Sequence, residues 1–208
     1  MKKLLSLMLL VSLACVASAQ IVDAELATKP ADETVFYQTP EIEKNNTFIV
    51  ISKAELRLYV YGEVGNDTVL MAKFPACLSK NKGQKERRGD MKTPECTMAK
   101  PFYIDAIKDA SAWYHDFKDG RGSIKAYGAW FLRLVTPGHK GIGIHGSTNN
   151  EKSVPGRASE GCVRLRDADI ILLKEKFAYI NMPVIIKSET QGPWEWELKA
   201  HAKAVAEE

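Results

Sequence analysis

The residues of this 208-residue chain best suited to chemistry lie between positions 141 and 166, in GIGIHGSTNNEKSVPGRASEGCVRLR. His145 closes a short apolar run with Ile142 and Ile144. A loop rich in Ser, Asn, Pro and Gly then delivers Cys162 between Gly161 and Val163-Arg164-Leu165. A cysteine nucleophile needs a base to take its proton, a group that orients the base, and N–H donors for an oxyanion. A free thiol titrates near about 8.5, so little of it is thiolate at neutral pH, and an imidazole is the usual remedy. His145 is the candidate base, and a main-chain carbonyl at Gly146 can hold its ring N–H and fix the tautomer. The amides of Gly161 and Cys162 can face a developing oxyanion, and Arg164 offers a planar fork for a carboxylate. Taken singly, each has a plainer reading: a small buried hydrophobe, a structural histidine, a salt bridge from Arg164 to Asp167 or Asp169. Their combination, bracketed by glycines, points to acyl transfer.

The elements that must position them read as mainly β. A short apolar run at 48–52 precedes an alternating stretch at 55–61, with Leu56, Leu58 and Val60 on one face. Turn residues at 62–67 and a returning strand at 68–74 complete a pair of hairpins. Further strands are expected at 97–107, 129–135, 141–145 and 183–187. Asp167 is expected to cap a helix running to Phe177, with Ile170, Ile171, Leu173 and Phe177 packing. After Gly192-Pro193 the tail WEWELKAHAKAVAEE is helix-forming, with Trp194 or Trp196 free to dock and His201 expected at the surface.

Residues 1–19 read as a secretory signal peptide: Lys2 and Lys3, an apolar run too short to span a bilayer, and the small-x-small site Ala17-Ser18-Ala19. Cys15 follows a poor lipidation pattern. Cleavage removes Lys2 and Lys3 from 29 basic residues set against 26 acidic ones, so the net charge falls from +3 to about +1. Nothing resembles a nucleic-acid footprint, and the basic run 80–88 reads as a solvated loop. Residues 20–46 form an acid-bearing linker or arm, partly ordered around Val35, Phe36 and Tyr37. Three cysteines remain in an oxidising compartment. If Cys162 stays reduced to act, Cys77 and Cys96 are left to pair, which stabilises by about 3 kcal/mol in the chain-entropy model; the other arrangement is two ordinary buried thiols. His115, His139, His145 and Cys162 show no metal-ligand spacing of the zinc kind, so neither metal nor cofactor is expected, and His139 reads as a loop residue near the site.

IHG, a loop and S-x-G-C-x-R-L resemble the signature of the L,D-transpeptidase catalytic domain, the YkuD family of bacterial cell-wall enzymes. Upstream, RRGDMKTPECTMA at 87–99 and GAWFLRL at 128–134 resemble further family segments, so the likeness covers 47–187, leaving 188–208 as a helical tail. Two departures stand out: Glu160 where many members have a histidine, and Cys96 in place of a glycine. The resemblance implies a β-sandwich or barrel with a few short helices. It implies an exported, periplasmic or envelope enzyme acting on peptidoglycan stem peptides, through a thioester on Cys162 resolved by an amine acceptor. An L,D-carboxypeptidase with water as acceptor and a catalytically silent wall-binding domain are the alternatives. Arg164 and Ser159 are expected to position substrate or shape the loop, and Tyr127 and Trp130 to line the cleft or pack the core. Acylation by carbapenem-type β-lactams is a further implication.

Overall fold

The hairpins at the start of the domain form where the sequence places them, except that Leu56, expected in the second strand, lies in the turn before it at φ +57°. The computed structural model describes residues 33–207; the predicted signal peptide and the first part of the arm lie outside them. β1 (Val35–Phe36) is a short edge strand, followed by β2 (Thr47–Ser52), β3 (Arg57–Val64) and β4 (Asp67–Pro75). The expected turn shrinks to Gly65-Asn66, because β3 runs on to Val64 opposite Asp67 and Gly65 takes φ +61°. β5 (Cys77–Ser79) comes next, and β6 (Phe102–Asp109) begins later than predicted. Pro101 has no N–H for a ladder, and Thr97 bridges Lys100 in a tight reversal before it. β7 (Tyr114–Asp116) and β8 (Ser123–Lys125) make a separate hairpin. β9 (Trp130–Val135), β10 (Gly143–His145), β11 (Gly156–Ser159), β12 (Val163–Arg164), α1 (Asp167–Lys176), β13 (Pro183–Lys187) and α2 (Glu195–Ala206) follow.

All strands except β7 and β8 join one sheet in the order β1-β4-β3-β2-β13-β6-β9-β10-β12-β5-β11. β4 and β5 lie near opposite ends of that order, yet only Ala76 separates them in the chain. The sheet must therefore curl until its ends meet. Alternate residues of both halves accordingly share one core: Ile49 and Ile51 of β2, Leu58 and Val60 of β3, Ile144 of β10 and Val163 of β12, capped by Ile170 and Leu173 of α1. At about 25 cal/mol per Å² of apolar surface, each such side chain contributes about 1.5–3 kcal/mol on burial.

The opposite faces of β2 and β3 are not solvated as a simple alternation implies. Phe48, Val50, Tyr59 and Tyr61 pack against Ala200 and Ala204 of α2, which lies over them. Trp196 docks edge-on to Tyr61 at 5.0 Å and to Phe48 at 5.7 Å. His201, expected at the surface, is buried beneath the helix, with Nε2 at 2.7 Å from the Tyr61 hydroxyl. Glu197 bonds the buried Lys187 ammonium at 2.7 Å and accepts the Trp194 N–H at 2.8 Å, so one carboxylate both starts the helix and neutralises a core charge.

The expected Cys77–Cys96 disulfide is absent, and both cysteines are free thiols. Cys77 lies on β5, where its sulfur donates to the Leu78 carbonyl. Cys96 runs beside β13, donating to the Val184 carbonyl and accepting the Ile186 N–H, with four strands between β13 and β5 in the sheet order. Among the described residues no helix is long and apolar enough to cross a membrane.

Candidate active site

β10 brings the candidate residues together. It pairs antiparallel with β9, His145 opposite Phe131, and parallel with β12, His145 opposite Arg164 and Ile144 opposite Val163. Cys162 immediately precedes β12, so the register sets its backbone beside the start of β10. His145 is 4% exposed. Phe131 stacks on its ring at 5.6 Å and Tyr127 tilts against it at 4.7 Å. Nδ1 donates to the Gly146 carbonyl at 2.6 Å, which places the proton on Nδ1 and leaves Nε2 an acceptor.

Gly146 is required by that geometry. A Cβ there would sit 2.5 Å from Asp167 Oδ1 and 2.7 Å from the Gly128 Cα, and the Gly146 N–H donates to the Tyr127 carbonyl. Asp167 is the first residue of α1 rather than its cap, and Arg166 holds the capping position. Its carboxylate accepts the Ser147 N–H at 2.7 Å and the Thr148 hydroxyl, tying the segment after His145 to the helix that follows Cys162.

On the nucleophile side, Ser159 donates its hydroxyl to the Cys162 carbonyl at 2.6 Å and accepts the Gly161 N–H at 3.2 Å. Gly161 takes φ +140°, and a Cβ would meet the Lys92 carbonyl at 3.0 Å. Its amide is thus committed to Ser159, a correction to its expected part in the oxyanion hole, while Ser159 acts as the turn's staple. The half-buried Cys162 donates its thiol proton to the Gly141 carbonyl at 3.3 Å.

Burial pushes the Cys162 thiol up to about 11, against the Gly143 amide and the charges of Arg164 and Lys85. Burial, reinforced by the Arg164 charge, pushes His145 down to about 3 against its bond to Gly146. The resting pair is a neutral thiol and a neutral imidazole.

A cleft of about 750 Å³ opens over them, lined by both residues. Arg164 lies in its wall, 4% exposed, with its guanidinium 4.9 Å from the Phe117 ring and its buried Nε unpartnered. Among the described residues neither Asp167 nor Asp169 pairs with it: Asp167 is taken by Ser147 and Thr148, and Asp169 by Thr34. Of the two places expected for Trp130, cleft wall or core, it takes the second, packing on the core beneath Lys174 of α1, whose Nζ is 4.3 Å from the ring centre. Tyr127 and His139 do line it.

The basic run at 80–88 is not simply solvated. Lys85 is buried against Asp90 at 2.6 Å and reaches the cleft wall. Burial opposes the Asp90 charge, but Lys85 and the amides of Glu86, Arg87 and Lys92 hold its carboxyl well below the usual range. Lys53 Nζ pins this loop through Gly83 O, Thr93 O and Glu95. His115, weighed in the sequence only as a metal ligand, is carried by the β7–β8 hairpin to within 3.2 Å of Glu160. Among the described residues no group of three or more His, Cys, Asp or Glu is placed to hold a metal ion.

A curled sheet thus delivers a thiol and an imidazole to one cleft from adjacent strands. The family model for the L,D-transpeptidase catalytic domain, YkuD, matches residues 46–186, and the chain belongs to that family. No curated protein matches the chain. Among solved structures it is similar to Bd1075 of Bdellovibrio bacteriovorus, at 22% identity and a TM-score of 0.51, over 85% of this chain and 59% of that one. The helical cell shape determining protein Pgp2 from Campylobacter jejuni is similar at 16% identity and a TM-score of 0.50, over 86% and 59%. For an L,D-transpeptidase from Mycobacterium smegmatis the values are 17%, 0.48, 69% and 59%. The chain spans 59% of the length of each of these three structures, and the first two likenesses concern the fold.

Proposed function

We propose that this protein is an exported L,D-transpeptidase of peptidoglycan stem peptides, with Cys162 as nucleophile and His145 as general base. The observation that carries the reading is the half-buried Cys162 thiol sharing one cleft with a buried, neutral His145 whose tautomer the Gly146 carbonyl holds. At any pH well above about 3 the imidazole is unprotonated, so its Nε2 is open to take the thiol proton as the sulfur attacks.

When the donor peptide enters, the thiol exchanges the Gly141 carbonyl for Nε2 of His145. The sulfur attacks the carbonyl on the L-centre of the third stem residue as its proton passes to the imidazole. The Cys162 N–H faces the tetrahedral oxyanion. As the C–N bond breaks, the imidazolium returns the proton to the departing D-alanine amine, leaving a thioester and a neutral His145. Arg164, buried and without a carboxylate partner among the described residues, receives a substrate carboxylate, and Ser159 keeps the Gly161–Cys162 turn in shape. An amine acceptor then attacks the thioester, its proton travelling through His145 to the released thiolate. The leader at 1–19 takes the chain to the periplasm or envelope, where this substrate lies.

Product analysis of the purified protein with a tetrapeptide donor and an amine acceptor tests this reading. Cross-linked or amine-capped tripeptide is the expected product. Tripeptide alone would move the assignment to an L,D-carboxypeptidase, and unchanged donor to a silent wall-binding domain.

A further inference from the structure

The cleft is charged unevenly. Arg88, Lys140 and Arg164 line it, and among the described residues no carboxylate lies within ion-pair distance of any of them. Lys85 is committed to Asp90. Against these stands a single lining carboxylate, Glu160, two residues before the thiol. It is about one-third exposed, and His115 Nε2 from the β7–β8 hairpin lies 3.2 Å from its Oε2. The His115 ring is itself held by Phe117 at 4.5 Å. A negatively charged donor peptide is favoured along most of this wall, and a cation is repelled from it. The Glu160 corner is the exception, and it adjoins the sulfur that carries the acyl group.

We propose that Glu160, oriented by His115, forms the subsite that binds the cationic amino group of the acyl acceptor beside Cys162. The inference rests on the transpeptidase reading above and deepens it by separating the two substrates: donor carboxylates on the basic wall, acceptor ammonium on Glu160. Bound there as R–NH3+, the acceptor sheds one proton through the partly exposed carboxylate to solvent. The amine so formed attacks the thioester carbon, the C–S bond breaks, and the second proton passes through His145 to the thiolate, leaving an amide and a free thiol. A salt bridge that merely latched the hairpin would place no charge requirement on the acceptor. A charge-reading subsite does.

Ethylamine and methoxyamine are nearly the same shape, but at neutral pH the first is cationic and the second uncharged. The test compares kcat/KM for transfer of the tripeptidyl group to each, in the wild-type protein and in Glu160→Gln, Glu160→Asp and His115→Gln. The expected result is a fall of at least about tenfold in the ethylamine-to-methoxyamine ratio for Glu160→Gln. Glu160→Asp should recover part of it, and His115→Gln should show a smaller fall. An unchanged ratio in Glu160→Gln, with both acceptors affected alike, overturns the subsite and leaves a structural latch. A wild-type protein that forms the thioester but passes it only to water overturns the proposal together with the transfer step it rests on, a failure visible without any variant.

Discussion

At the scale of single residues, the resting thiol and imidazole are both neutral, because burial outweighs the Gly143 amide and the Arg164 and Lys85 charges at Cys162, and the Gly146 bond at His145. With the Cys162 thiol near about 11 and His145 near about 3, no thiolate–imidazolium pair exists in the free protein around neutral pH. Alkylation of Cys162 by iodoacetamide without substrate should therefore climb about tenfold per pH unit between pH 7 and 10, without a plateau near neutrality. A plateau below pH 8 would contradict the neutral resting state. Much of this geometry was legible in sequence: Cys162, His145, the Gly146 carbonyl and the loop-shaping Ser159 lie within one segment, where spacing limits what can meet. The residues that escaped are joined across long stretches of chain. His115 and Glu160 are 45 positions apart, and the choice for Trp130 between cleft and core stayed open because a strand's first residue can face either the cleft or α1. Cysteine counting likewise paired Cys77 with Cys96, which the sheet order holds apart.

At the scale of elements, the position of the base depends on how closely two turns and a helix start approach. Gly146→Ala places a methyl group against Asp167 and Gly128 and must push the Gly146 carbonyl off Nδ1. Acylation by a tetrapeptide donor, followed in single turnover, is expected to fall about a hundredfold, the cost of a displacement of about 1 Å at a reacting group. The C-terminal helix is anchored differently, through the buried Lys187–Glu197 pair. Glu197→Ala leaves the Lys187 ammonium uncompensated and should cost about 3–5 kcal/mol in urea unfolding. Glu195→Ala, which breaks only the exposed pair with Lys199, should leave the unfolding midpoint unchanged within error. Strand alternation made β2, β3, β4 and β13 readable. The two- to four-residue strands β5, β11 and β12 carry too few residues to show a period, and each is defined by its ladder, β12 beside β10 and β5, and β11 beside β5.

At the scale of the whole molecule, two imidazoles are folded into the interior uncharged. Burial pushes His201 down to about 4 against the pull of Glu55, with Lys73 and Lys187 adding to the shift, and His145 behaves alike. Both folded values lie below the ordinary 6.5, so between pH 6.5 and 4 the unfolded chain binds more protons than the folded one. Stability is thus complete above about pH 7 and falls as the pH drops, by up to about 1.4 kcal/mol per pH unit for each imidazole. Thermal midpoints should decline from pH 7 to pH 5, and His201→Phe should flatten that slope. A wild-type midpoint that rises on acidification would contradict the sign. The curling of the sheet was expected only through the family resemblance, and the tail helix over its second face only as an option for Trp194 or Trp196. Both depend on contacts between distant segments, whereas local periodicity reports only that a face is apolar.

The account turns on Cys162 as the residue that receives the acyl group. Intact mass of residues 20–208, alone and after incubation with a carbapenem, beside Cys162→Ala, tests this most directly. One covalent adduct on the wild-type protein, absent from the variant, is the predicted result, with the unreacted mass corresponding to three reduced thiols. A wild-type protein that stays unmodified, or an adduct that persists in Cys162→Ala, would contradict it.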